Sequence, residues 1–222
     1  MKRLLIFLFA LVFSLSIIGT ANATLTGFYE GTDHFVYDSD LGITWYDYTY
    51  TTTYPFASAR WNDAKSWAAG LTVGGTTLGS WRLPITADVY APYTYGYDGT
   101  TSVGWNITTG EMNYLYYVDL RNEGSYATNG TPLPGYGLVN TWPFTDLHPG
   151  GYWTGTRSSW GPSSVWFFNF SLGEQDLYSS SNFLYALAVH PGDIRDVPEP
   201  TTMLLLGLGL MGLAGVRRKV KK

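Results

Sequence analysis

The chain has no cysteine among its 222 residues, and most of its length is poor in positive charge. The absence of cysteine excludes disulfides, thiolate zinc sites, cysteine nucleophiles and iron–sulfur clusters. Residues 24–198 carry 16 acidic and 6 basic side chains, a formal net charge of −10. Because nucleic-acid binding depends on neutralising phosphates, we predict no nucleic-acid partner.

Hydrophobic runs of full membrane-spanning length are also missing, but shorter runs lie at both ends. At the N-terminus a basic Met1-Lys2-Arg3 precedes the mostly apolar residues 4–18, and Ala21-Asn22-Ala23 follows. This order is typical of a secretory signal peptide, here residues 1–23, with cleavage after Ala23. The alternative is an uncleaved anchor, for which the apolar run is short.

The C-terminal run, residues 201–216, includes fourteen consecutive apolar or glycine residues from 203 to 216. As a helix these fourteen residues extend only ~21 Å, less than the ~30 Å of a hydrocarbon core. The basic residues 217–222 follow and should remain cytoplasmic under the positive-inside rule. We therefore predict a separate, short hydrophobic helix that leaves the body outside the cytoplasm.

The tail resembles the PEP-CTERM sorting signal of Gram-negative bacteria. The residues that carry this resemblance are Pro198, Glu199, Pro200, Arg217 and Arg218, on either side of the apolar stretch. The resemblance implies export past signal peptidase, transient retention in the inner membrane and cutting by an exosortase-type enzyme. Release to the cell surface or medium would follow, often beside exopolysaccharide. A plain single-span anchor is the alternative.

The body combines strand-like and helix-like patterns, which indicates an α+β class. A turn-like Asp38-Ser-Asp-Leu-Gly42 predicts a hairpin over 34–46. Apolar residues at helical spacing predict a helix that Pro55 could open and Gly70 ends, and a second helix is expected over 111–120. Three later strands are predicted over 152–156, 165–170 and 184–190, and we expect them to be antiparallel.

Seven ordered segments of the body resemble the bacterial Lcl C-terminal-domain family, a domain of unknown function. They are Asp40-Leu-Gly-Ile-Thr-Trp45, Trp61-Asn-Asp-Ala64, Trp81-Arg-Leu-Pro84, Glu111-Met-Asn-Tyr-Leu115, Tyr152-Trp-Thr-Gly-Thr156, Val165-Trp-Phe-Phe-Asn169 and Ala188-Val-His-Pro-Gly192. The resemblance implies a C-type lectin-like domain over 24–192, with two helices packed on short antiparallel strands and long loops. It supplies no settled activity. An insertion over 86–110 and His190 depart from the family pattern.

Candidate metal ligands are few. Asp38 and Asp40 alternate like the start of a calcium loop and are the first candidates if calcium binds, but a turn accounts for them better. Trp61-Asn62-Asp63 matches a tripeptide of calcium-dependent lectins, yet on a helix Trp61 should pack inward. We therefore predict no cofactor, with calcium at Asp38 and Asp40 as the alternative.

Other polar patterns favour structure over chemistry. Tyr46, Tyr48 and Tyr50 should share one strand face, and Thr49, Thr51 and Thr53 the other, with packing as the default. Arg82 should tie its loop to a carboxylate or a backbone carbonyl. Two clusters of acidic residues are most simply explained as charged surface, although glycosidases use carboxylate pairs. These clusters are Glu111, Asp119 and Glu123, and Glu174 with Asp176.

These patterns predict an exported, non-enzymatic surface or matrix protein that binds carbohydrate or another envelope component through exposed aromatic side chains. One alternative is a secreted polysaccharide hydrolase with paired carboxylates as acid and base. The other is a purely structural surface protein. Residues 193–200 are the expected linker between the body and the sorting helix.

Overall fold

The computed structural model describes residues 25–51, 59–87 and 94–195, and these form a mostly β structure of nine strands in two sheets. The strands are Leu25–Glu30 (β1), Asp33–Asp38 (β2), Ile43–Tyr50 (β3), Tyr95–Gly96 (β4), Val103–Gly104 (β5), Gly151–Arg157 (β6), Ser164–Asn169 (β7), Glu174–Ser179 (β8) and Ala186–Pro191 (β9). The helices are Trp61–Ala69 (α1) and Glu111–Tyr114 (α2), and a π-helical turn over Leu115–Asp119 continues α2.

The first sheet has the strand order β1-β2-β3-β9, and every neighbouring pair is antiparallel. Strands β2 and β3 form the predicted hairpin. Its turn is closed by Asp38, whose side chain accepts hydrogen bonds from the backbone N–H of Asp40 (3.1 Å) and Leu41 (3.0 Å). Gly42 has a φ of 62°, which suits glycine. The turn interpretation of this segment is confirmed.

The second sheet has the order β4-β5-β8-β7-β6, in which only β4 and β5 are parallel. Strands β6, β7 and β9 confirm the three predicted later strands to within a few residues, and all three pair antiparallel. Strand β8 was not predicted because its sequence is polar. Its second residue, Gln175, is nevertheless buried, and it accepts a hydrogen bond from the Thr86 hydroxyl (2.6 Å).

A loop joins the two sheets. Arg82 and Val189 exchange backbone hydrogen bonds of 3.0 and 2.8 Å on the free edge of β9. Two residues later the carbonyl of Pro84 accepts a hydrogen bond from Gly155 of β6 (2.7 Å). The Arg82 guanidinium binds both carboxylate oxygens of Glu111 at 2.7 Å, and also the Leu83 carbonyl. The predicted role of Arg82 as a tie for its loop is confirmed.

Tryptophans fill the core. Trp45, Trp61, Trp81, Trp153 and Trp166 are each at most 3% exposed. Complete burial of an apolar side chain of this kind stabilises a fold by roughly 1.5–3 kcal/mol. The prediction that Trp61 packs inward is therefore confirmed.

The α1 helix confirms one predicted helix over Trp61–Ala69, but it begins later than predicted, because Ala59 pairs with Leu184 and Arg60 is an extended N-cap. Trp61 is buried, Asn62 and Asp63 are exposed, and Gly70 ends the helix. Trp67 packs against the tyrosine face of β3, with its ring 4.5 Å from Tyr50 in a stacked arrangement. Residues 52–58, which include Pro55, lie outside the described ranges.

The expected α+β, C-type lectin-like class is wrong, because most of the described structure lies in two β-sheets and the helices are short. The second helix, expected over 111–120, has only four α-helical residues. Its backbone then widens, and the N–H of Leu120 bonds to the carbonyl of Leu115 (2.9 Å). Strands β1 and β8 were also missed. Their sequences show no clear local strand pattern, and their extended structure depends on pairing with neighbouring strands.

Both targeting segments lie outside the described residues. These are the predicted signal peptide with Ala23, and the tail with Pro198, Glu199, Pro200, Arg217 and Arg218. None of the helices in the described ranges combines the length and apolar character that a membrane span requires.

Candidate functional site

Two aromatic side chains stand out on the surface. Trp142 is 84% exposed and Tyr29 is 65% exposed, the highest values among the aromatic residues of the described ranges. Pro143, next to Trp142, approaches Gly27, and Gly27 lies on the same face of β1 as Tyr29. We call Trp142 and Tyr29 the aromatic platform.

Gly27 permits this close approach. A Cβ atom at that position would lie 3.0 Å from Nε2 of His34 and 3.2 Å from the Cβ of Pro143. His34 in turn packs beside Tyr29, with ring centroids 4.5 Å apart. The loop that carries Trp142 therefore sits directly against β1 and β2.

Asp47 anchors one end of the Trp142 loop. Its fully buried carboxylate accepts hydrogen bonds from the backbone N–H (2.6 Å) and hydroxyl (2.7 Å) of Thr145, and from the N–H of Asp146 (3.1 Å). Nδ1 of His34 lies 2.6 Å from the same carboxylate. These contacts join the loop to β2 and β3 across almost 100 residues of sequence.

Asn122 anchors the other end. This buried side chain accepts hydrogen bonds from the N–H of Val139 (3.0 Å) and Asn140 (2.7 Å), and it donates one to the Asn140 carbonyl (2.9 Å). Phe144 is also buried. Trp142 is thus held at the tip of a loop with two fixed ends, which lowers the entropy cost of binding a ligand on its ring.

A second polar feature is the pair of Asp38 and Asp119. The two carboxyl groups lie within hydrogen-bonding reach of each other, and both oxygens of Asp119 are buried without a donor from the protein. Burial, and then the Asp38 charge, raise the pKa of Asp119 to about 8. Burial also raises the pKa of Asp38. Because two ionised carboxylates repel, the arrangement is suited to one shared proton.

Asp40 lies at the edge of this pair, where it accepts a hydrogen bond from the Tyr114 hydroxyl (3.0 Å). The structure therefore brings Asp119 to the predicted calcium candidates Asp38 and Asp40. Within residues 25–51, 59–87 and 94–195, no group of three or more His, Cys, Asp or Glu side chains has a geometry suited to a metal ion. Calcium binding at Asp38 and Asp40 therefore stays an untested alternative to the prediction of no cofactor.

The remaining predicted acidic groups separate in space. Glu111 is engaged by Arg82 and by the N–H of Ile85 (2.7 Å), which leaves it structural. Glu174 lies beside an exposed aromatic residue, with Oε1 3.5 Å from the Tyr95 hydroxyl. Burial, and then the charge of Asp176, raise the pKa of Glu174.

The sequence did not single out the aromatic platform, Asp47 or Asn122. A Trp-Pro dipeptide in a proline-rich loop is a weak signal for an exposed ring, and nothing local distinguishes Asp47 from other acids. Thr49 was expected to pack, and it is buried with hydrogen bonds to Asp146 and Tyr152, which confirms that expectation.

Comparison with known proteins identifies the tail. Residues 196–219 match the PEP-CTERM protein-sorting motif, which confirms the predicted sorting signal. The motif implies export, a membrane-anchored sorting step and processing by an exosortase. No curated protein and no solved structure matches the chain, and the resemblance of the body to the Lcl C-terminal-domain family has no support.

Proposed function

We propose that the protein is a non-enzymatic cell-surface or extracellular protein that binds polysaccharide through the aromatic platform. The observation that carries this proposal is Trp142, which is 84% exposed on a loop fixed at both ends. Exposing an indole to water is unfavourable, so its retention on a rigid loop favours a role in contact. The sorting motif supports an exported protein that an exosortase processes, and we expect signal peptidase to remove the N-terminal segment.

Sugar rings suit this surface. The apolar face of a pyranose packs on a flat aromatic ring, and its hydroxyls then meet hydrogen-bonding groups at the rim. Tyr29 supplies a second ring with a hydroxyl, and the His34 ring packs against it. An exopolysaccharide chain is the proposed ligand, since the motif belongs to exported proteins.

The test compares Trp142→Ala with Leu78→Ala in the full-length chain purified in a non-ionic detergent. Leu78 is 70% exposed and apolar, but it has no ring. Binding to a panel of neutral and acidic polysaccharides is measured by affinity electrophoresis. We expect Trp142→Ala to weaken binding about tenfold or more and Leu78→Ala to leave it unchanged. A panel that shows no binding by the unaltered protein overturns the proposal and favours the purely structural alternative.

A secreted hydrolase is the second candidate, and one observation favours it. Glu174 and Asp176 lie two residues apart on β8, beside the exposed ring of Tyr95, and burial raises the pKa of Glu174 as a general acid requires. The test is release of reducing sugar from the polysaccharides that bind. Loss of that release in Glu174→Gln, with an unchanged unfolding midpoint, would favour the enzyme.

A further inference from the structure

Two of the six basic residues of the body lie over one buried tryptophan, and a third precedes that tryptophan in sequence. Nζ of Lys65 lies 4.4 Å and Cζ of Arg157 lies 4.6 Å from the centre of the Trp61 ring. Because both distances share one ring centre, the two charges are at most about 9 Å apart. Arg60 precedes Trp61, and its guanidinium lies 5.2 Å from the Phe183 ring. We call Arg60, Lys65 and Arg157 the basic patch.

Among the residues that the structure describes, no carboxylate forms an ion pair with a cation of the basic patch. In the described ranges, ion pairs engage Arg82 with Glu111 and Arg195 with Asp193, but none engages a member of the patch. The three side chains are exposed. Asp63 is the acidic residue of α1, so the local charge remains positive on a body that is otherwise strongly acidic.

Local charge dominates the potential at this surface. Ionic screening reduces interactions beyond about 8 Å at physiological salt, so the distant acids of the body contribute little. The positive charges of Lys65 and Arg157 repel each other, because their contacts with the Trp61 ring hold them within about 9 Å. An anionic group that contacts both cations offsets that repulsion with two attractions, and the planar guanidinium of Arg157 matches the two oxygens of a carboxylate.

We propose that the basic patch binds the carboxylate groups of an acidic polysaccharide. The proposal rests on the proposed function, polysaccharide binding, and adds the ligand class and a second contact surface. Anionic lipid is the competing source of negative charge. Sites that insert into a lipid surface combine basic residues with a broad exposed apolar surface, whereas Trp61 is 3% exposed and Phe183, beside Arg60, is 37% exposed. The patch therefore offers three charges with only one partly exposed ring, which favours a soluble polyanion.

The experiment measures binding of octagalacturonate and its methyl ester of equal length to the full-length protein in a non-ionic detergent. The test variant is Lys65→Gln with Arg157→Gln. The controls are Lys65→Arg, which keeps the charge, and Arg121→Gln, which removes an exposed cation outside the patch. Near-ultraviolet circular dichroism reports the Trp61 environment, and Lys65→Gln alone replaces the double variant if that signal changes.

We expect the test variant to weaken octagalacturonate binding about tenfold, to reduce its dependence on salt, and to leave the methyl ester unaffected. The two controls should bind like the unaltered protein. An equal loss of octagalacturonate affinity in Arg121→Gln overturns the proposal. It is also overturned if phosphatidylglycerol displaces octagalacturonate at a lower concentration than free galacturonate does. A third outcome separates the two proposals. If Trp142→Ala abolishes binding of neutral glycans but the Lys65 and Arg157 substitutions leave octagalacturonate binding unchanged, the proposed function stands and this inference alone fails.

Discussion

Asp47 and Asp119 both bury their carboxyl oxygens, but their surroundings are opposite. Asp47 receives three hydrogen bonds from Thr145 and Asp146 and contacts His34. Neither oxygen of Asp119 has a donor, and the group that faces it is another carboxyl, that of Asp38. One site therefore stabilises a negative charge, whereas the other resists it.

The comparison shows that hydrogen-bond donors, rather than burial alone, decide what a buried acid does. Asp47 fixes the loop that presents Trp142. Asp119 brings a second carboxyl against Asp38 at the β2–β3 turn, so this contact is more favourable when the pair holds a proton. The predictions below alter each site in turn.

The largest effect is expected for Asp47→Asn. The substitution replaces one acceptor oxygen with an NH₂ group that faces N–H donors, so the free energy of unfolding should fall by about 3 kcal/mol. Urea titration followed by tryptophan fluorescence measures this change. Asp63→Asn, at an exposed site, is the control, and we expect a change below about 0.5 kcal/mol. Similar midpoints for both variants would contradict the anchoring role.

The second effect concerns pH. Folding raises the pKa of Asp119, so the folded state holds a proton that the unfolded chain releases from about pH 4 upward. This contribution to stability is complete below pH 4 and is lost as pH rises towards about 8. Allowing for nearby solvent, we expect a loss of about 1–2 kcal/mol between pH 5 and 8.

Asp119→Asn checks that assignment. The amide donates a hydrogen bond to Asp38 without needing a proton, so the variant should lose much of the decline in unfolding free energy between pH 5 and 8. Asp40→Asn removes a neighbouring exposed carboxylate and should keep most of the decline. A profile in Asp119→Asn that is as steep as in the unaltered protein would refute the shared proton.

A smaller effect is expected for His34→Gln. This change removes one of the contacts to Asp47 and leaves the three bonds from the Trp142 loop, so the cost should be about 1 kcal/mol. Thermal unfolding at pH 7 measures it. An effect as large as that of Asp47→Asn would mean that the histidine, rather than the loop backbone, holds the carboxylate.

Calcium should have the smallest effect. At pH 6 the proton between Asp38 and Asp119 competes with a cation, so millimolar calcium should change the unfolding midpoint by less than about 1 °C. The comparison is the same titration with Asp38→Asn after treatment with a chelator. A calcium-dependent rise that Asp38→Asn abolishes would establish the predicted site at Asp38 and Asp40.

Local features of the fold were predictable from sequence. The turn from Asp38 to Gly42 follows from residues that bond to their own backbone or tolerate a positive φ. The α1 helix follows from apolar spacing, and the tie between Arg82 and a carboxylate follows from the scarcity of basic residues. Each of these depends on neighbours in sequence or on composition.

The missed features depend on distant partners. Asp47 meets Thr145 from 98 residues away, and Asp119 meets Asp38 from the other half of the body. Strand β8 is polar and forms because β7 and β5 pair with its edges. The lectin-like prediction failed for the same reason. It rested on the order of short segments along the chain, whereas the fold depends on which strands pair with one another.

Sequence alone determined the destination of this protein, since a sorting signal is read as a linear order of motif, apolar run and basic residues. Tertiary structure decided which aromatic rings face water, which acids lie against each other and which cations of the described residues lie over one buried ring. Those properties arise from burial and from distances between groups far apart in the chain, and neither is encoded in any single segment.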